Sequence, residues 1–174
     1  MSNIIPVEIS VWQNIIDQYS SNFAGKKLSK NELDDLEFTL ENDLSRIASK
    51  KNIYYEIVSS NLMYFEANSS LGARLGYFPP PWEGSPAWGV SIPISNFGAI
   101  KLSYFKGNYI KTPVVTEKSM YYKIDWENEP ELEESGLISS PILMNLETPF
   151  SYQNQSSSPA IILNLRCTPS LLAV

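Results

Sequence analysis

The chain has 174 residues, 43% of them apolar, which is one ordinary domain with enough core to fold without a disulfide or a metal. Its 13 basic and 19 acidic side chains give a net charge of −6 with no basic block, so neither nucleic acid nor an anionic membrane is an expected partner. It has no histidine and one cysteine, Cys167, which excludes His-based acid–base and nucleophilic chemistry, Cys/His zinc centres and any intrachain disulfide.

The N-terminus, Met1-Ser-Asn-Ile-Ile-Pro6, carries no basic region and no apolar run, so no signal peptide is expected. Ile9, Trp12, Ile15, Ile16 and Tyr19 fall at helical spacing and predict a short amphipathic helix. Ser20 to Lys30 reads as a polar loop. Leu33, Leu36, Leu40, Leu44 and Ile47 make one apolar stripe and predict a second helix over 31–51, capped by Asn31. Its opposite face is expected to carry Glu37, Glu41, Asp43 and Arg46.

From residue 53 onward the periodicity changes to two, and strands are predicted at 53–58 and 62–67. Leu71 to Pro86, with three glycines and Pro79-Pro80-Pro81, reads as irregular. Trp88 to Ile94 and Ile100 to Phe105 flank Ser95-Asn-Phe-Gly-Ala99 and read as a hairpin. Further strands are predicted at 121–124, 141–146, 150–153 and 160–167. Asp125 to Glu134 holds six carboxylates and reads as a solvated surface loop; it lacks the glycine and the Asp/Asn alternation of a calcium loop. Cys167 reads as a small buried strand residue. Two helices followed by about eight short strands, with no strand–helix alternation and no Gly-rich phosphate loop, give an α+β chain with a sandwich or jelly roll.

Three stretches carry a resemblance: Trp88-Gly-Val-Ser-Ile-Pro-Ile-Ser-Asn96, Pro141-Ile-Leu-Met-Asn-Leu-Glu-Thr-Pro-Phe-Ser-Tyr-Gln-Asn-Gln155, and Ser158-Pro-Ala-Ile-Ile-Leu-Asn-Leu-Arg166. Together they resemble the small Fe(II)/2-oxoglutarate oxygenase-like proteins common in marine phages and bacteria, over roughly residues 71–168. The resemblance implies a double-stranded β-helix, a cupin-like jelly-roll barrel with the two N-terminal helices packed on it. Length and patterning give one domain, residues 1–174, with a helical part over 1–52 and the barrel over 53–174.

In that family a His-x-Asp pair and a distal His form an iron-binding facial triad, and a basic residue roughly ten positions later holds the co-substrate carboxylate. By the resemblance the distal His falls on Phe150 and the co-substrate residue on Ala160, while the His-x-Asp pair falls near Gly76-Tyr77-Phe78, where no histidine stands. The terminal-strand arginine is kept as Arg166. The framework residues match and the reacting residues do not.

The expected function is therefore non-enzymatic and without a cofactor: a jelly-roll structural or interaction module of viral type, a virion component or phage accessory protein. It would meet protein partners, form an oligomer or not, and reside in the virion or host cytoplasm. The alternative is a small-molecule- or glycan-binding cupin-like module, and the third reading is a divergent oxygenase using carboxylates for its metal. Tyr77, Phe78, Trp82, Trp88 and Arg166 are the candidate pocket or contact residues. The apolar end, Leu171, Leu172 and Val174, is the candidate interface.

Overall fold

Helix α1 runs over Trp12–Tyr19 and α2 over Lys30–Lys51, and both lie before most of the strands. The strands are β1 Ile4–Pro6, β2 Lys26–Lys27, β3 Tyr55–Phe65, β4 Ser70–Gly76, β5 Trp88–Ser95, β6 Ile100–Lys106, β7 Tyr109–Val115, β8 Met120–Trp126, β9 Glu131–Leu137, β10 Ile142–Asn145, β11 Phe150–Asn154 and β12 Ala160–Pro169. The structure is a computed structural model and describes residues 2–21, 26–51, 55–77, 88–117 and 119–169. Phe78, Trp82, most of the Pro-rich loop, and Leu171, Leu172 and Val174 lie outside the described residues.

Two six-stranded antiparallel sheets face each other. The first has the order β1-β10-β5-β12-β3-β2 and the second β7-β8-β4-β11-β6-β9. Eight strands form the frame by nested pairing: β3 with β12, β4 with β11, β5 with β10, and β6 with β9. This nesting, with the chain crossing between sheets at nearly every step, is the jelly-roll topology. The β7–β8 hairpin is added at the edge beside β4.

The first sheet is covered on both faces. On one, Val90, Ile92, Ile94, Leu163 and Leu165 form a core with Ile15 and Tyr19 of α1 and Leu36, Leu40, Leu44 and Ile47 of α2. On the other, Met144, Ala160 and Ile162 meet Leu102, Tyr104, Phe150 and Tyr152 of the second sheet. Double burial explains why β5 is buried without alternation from Gly89 to Ile94.

Several local expectations are corrected. The cap of α2 is Ser29, not Asn31: the Glu32 amide donates to Ser29 Oγ at 3.2 Å and the Ser29 amide donates to the Glu32 carboxylate at 2.8 Å. This reciprocal capping box satisfies two donors where an Asn cap satisfies one. Asp43 is not on an exposed face. It is 2% exposed, accepts hydrogen bonds from the Ser10 amide and hydroxyl, and pairs with Arg46 at 2.9 Å.

The stretch from Trp88 to Phe105 is not a hairpin. β5 and β6 lie in different sheets, and Ser95–Ala99 is an arch between them. Asn96 (φ 51°) and Gly98 (φ 81°) take left-handed conformations that turn the chain there. The Asn96 amide donates to Ser156 Oγ and to the carbonyls of Ser158 and Pro159, tying this arch to the one between β11 and β12.

The irregular reading of 71–86 gives way to β4 over its first six residues. The acidic loop is largely strand: Asp125 and Trp126 end β8 and Glu131 to Glu134 open β9. Glu134 also accepts the Asn3 amide at 2.8 Å, which fixes the chain entering β1.

Candidate functional site

The inward row of β12 reads Ala160, Ile162, Asn164, Arg166, so the space between the sheets changes from apolar to polar along that strand. The opposite row, Ile161, Leu163, Leu165 and Cys167, belongs to the helix-side core. Around Asn164 and Arg166 a cavity opens between the sheets. Its walls include Asn61 and Met63 of β3, Arg74 of β4, Tyr121 of β8, Met144 of β10, and Phe150 and Tyr152 of β11. It measures about 40 Å³, against the roughly 10–15 Å³ that one water needs.

Two cations face this space. Arg166, partly buried, donates from Nη1 to the Tyr77 carbonyl at 2.9 Å. Arg74 donates from Nε to the Gly72 carbonyl at 3.2 Å and lies 4.2 Å over the Tyr121 ring. Among the described residues neither pairs with a carboxylate, and no Asp or Glu lines the cavity. Burial, aided by the charge of Arg74, lowers the Arg166 pKa to about 10, which leaves it charged at neutral pH. Burial lowers Arg74 as well. Withdrawing a guanidinium from water without a partner is costly.

The remaining polar groups are aligned by short bonds. Ser91 Oγ donates to Asn164 Oδ1 at 2.5 Å, and the Asn164 amide reaches Met63 Sδ. The Tyr152 hydroxyl lies 3.5 Å from Met144 Sδ. Burial pushes Tyr152 up to about 12 despite the opposing charges of Arg74 and Arg166, so its hydroxyl keeps its proton at neutral pH.

Phe150 opens β11, is 4% exposed, and packs on Tyr104 and Tyr152 at ring-centroid distances of 5.9 and 5.5 Å. Tyr104 is held in turn by a 2.7 Å hydrogen bond to the Asn145 carbonyl. Ala160 is wholly buried and pairs with Phe65. It does not line the cavity; six residues of extended strand, about 20 Å, separate it from Arg166.

The structure therefore does not bring Phe150 and Ala160 to one site, and the cation on the Phe150 side is Arg166. Trp88 is also turned away: it packs into the helix-side core, because its neighbour Gly89 takes the inward position. A Cβ on Gly89 would meet Met144 and Leu146 at 3.2 Å, so the small residue keeps this wall close. Tyr77 contributes its carbonyl to Arg166 and packs its ring edge-on to Tyr122 at 5.1 Å. Arg74, Tyr152, Asn164 and Ser91 were not legible as site residues, because they are scattered over four strands with no shared motif.

No family model matches the chain, and no curated protein matches it by sequence. Solved structures do match. HygX from Streptomyces hygroscopicus, whose structure holds nickel and 2-oxoglutarate, superposes with a TM-score of 0.60 at 9% identity, over 97% of this chain and 81% of that one. A 2OG-Fe(II) oxygenase family oxidoreductase from Burkholderia pseudomallei gives 0.52 at 9% identity, over 95% and 84%. The Drosophila melanogaster CENP-C cupin domain matches at 12% identity and a TM-score of 0.35, over 64% of this chain and 62% of that one, so this chain spans under two-thirds of it. The chain is a cupin-like jelly roll of the architecture seen in 2-oxoglutarate oxygenases, and at these identities the likeness is one of fold.

That architecture implies an iron and 2-oxoglutarate, and the residues here do not fit them. The chain has no imidazole to offer. Phe150, at the start of β11, has no lone pair and is locked in an aromatic cluster. Among the described residues no three carboxylates or thiols converge.

Proposed function

We propose that this chain is a non-catalytic binding module, a cupin-like jelly roll whose inner cavity holds a small molecule. One observation carries the reading: Phe150, at the position where the resemblance puts a ligating side chain, is a buried aromatic, while the cavity beside it has a polar wall of Arg74, Asn164 and Arg166. A site that loses its metal donors and keeps an accessible polar wall can still bind, but it has no activated group to react with.

The test is to incubate the chain with Fe(II) and 2-oxoglutarate and to measure bound iron and oxygen consumption. In parallel, native mass spectrometry of the chain purified from its source looks for a bound small molecule. No turnover, with a ligand mass released on denaturation, is expected. Stoichiometric iron with co-substrate turnover would overturn the reading.

A second reading, a structural or interaction module, draws on the edge strands of the second sheet. Ile110 and Val115 on β7, and Leu132 and Leu137 on β9, expose apolar side chains. Its virion-associated form rests on the resemblance to phage proteins alone. A stable oligomer in light scattering would favour it.

A further inference from the structure

We propose that Arg74 and Arg166 form a metal-free clamp for the carboxylate or phosphate group of a small metabolite. This rests on the binding-module reading above and adds the chemistry of the ligand. The two guanidinium groups come from opposite sheets, β4 and β12, and face one cavity.

Each is positioned by its own frame. The Nε bond to Gly72 and the stacking on Tyr121 fix the plane of Arg74, and the Nη1 bond to Tyr77 fixes Arg166. Among the described residues, neither Nη of Arg74 and neither Nε nor Nη2 of Arg166 makes a hydrogen bond to protein, so planar forks remain to be filled. Planar forks of N–H donors suit carboxylate and phosphate oxygens.

These donors are not sealed off. Among the described residues Ser60 Oγ is the buried side-chain polar atom left without a partner, so the unbonded guanidinium nitrogens are within reach of solvent, and both arginines line the cavity. Burial is the main cause that lowers the Arg166 pKa, and the charge of Arg74 adds to it, so the two cations repel each other. An anion between them removes that repulsion and restores the missing counter-charge. The protonated Tyr152 hydroxyl stands beside them as a further donor. The size of the cavity limits the buried part of the ligand to a few heavy atoms, which suits an oxyanion head and not a sugar ring.

The net charge of −6 works against anions at long range. Recognition must then be local, and competing salt should weaken it.

Calorimetric titration of the full chain at low salt tests the proposal, with succinate, inorganic phosphate and the neutral succinamide as probes. Saturable binding of succinate or of phosphate, at least tenfold tighter than succinamide and weakened at least tenfold in both Arg74→Gln and Arg166→Gln, is expected. Succinate alone identifies a carboxylate ligand and phosphate alone a phosphoryl one. Arg166→Lys should recover part of the loss, and melting curves check that each variant is folded.

Absence of saturable binding by either anion to the unaltered chain, equal binding of succinamide, or binding untouched in folded Gln variants would overturn the clamp. A neutral ligand found in the cavity without anion binding would sink the clamp and leave the binding-module reading standing. Iron-dependent turnover would sink that reading whatever the titration gives.

Discussion

Phe150 fills the space between the sheets with one ring packed on two others, so its removal leaves a void that Tyr104 and Tyr152 cannot both close. Phe150→Ala should therefore cost roughly 3–5 kcal/mol of stability, read as a lower urea midpoint with an unchanged slope. Cys167 and Tyr152 set a different dependence. Burial raises the Cys167 thiol from 9.0 to about 12 and the Tyr152 phenol from 10.0 to about 12. Both groups hold their proton more tightly folded than unfolded. Their contribution is thus complete below pH 9 and is lost as the pH rises from there to about 12. Denaturation midpoints should be insensitive to these two groups at neutral pH and fall through that alkaline window. In the same experiment Cys167 should react with a thiol reagent only as the chain unfolds.

The strands that were legible in advance are those with a recognisable strand pattern: β5, β6, β8, β10, β11 and β12 fall within a residue or two of their predicted limits. Those missed lack that pattern for physical reasons. β7 is an edge strand with Pro113 inside it and four consecutive exposed residues from Ile110 to Pro113, so it shows no alternation. β9 is acidic because most of its length faces solvent, and its pairing to β6 gives it order. β4 contains two glycines and borrows its regularity from β11 and β8. The Ser95–Ala99 connection looked like a hairpin turn because its turn residues are the same. Which sheet β6 joins is decided by β9 and β11, far away in sequence.

At the scale of the molecule, α1 and α2 close one face of the first sheet. Trp12 ties α1 down with a 2.8 Å hydrogen bond to the Pro93 carbonyl, and Arg46 of α2 bonds the Glu8 carbonyl and Asp43. Removing residues 2–51 would expose Leu62, Val90, Ile92, Ile94, Leu163 and Leu165 together. Each buried side chain of this kind is worth about 1.5–3 kcal/mol, so the strands cannot lose this cover and stay folded. The chain from residue 55 onward should be insoluble or melt without cooperativity, measured by soluble yield and a thermal scan. A soluble chain with a sharp transition would show that the sheets fold without the helices.

The sequence by itself determined the class. The Leu stripe of α2, the period-two runs after it and the resemblance of three stretches were enough for two helices on a jelly roll, because periodicity and core composition are local properties. Zero histidine was enough to exclude an imidazole ligand at Phe150 or anywhere else in the chain. Tertiary structure alone decided the site. Strand parity turned Trp88 outward and Arg166 inward, six residues of extended chain separated Ala160 from the cavity, and the crossing of β4 and β12 set Arg74 opposite Arg166. Which side chains meet across two sheets depends on register and on pairings between distant segments, and no single stretch of sequence encodes either.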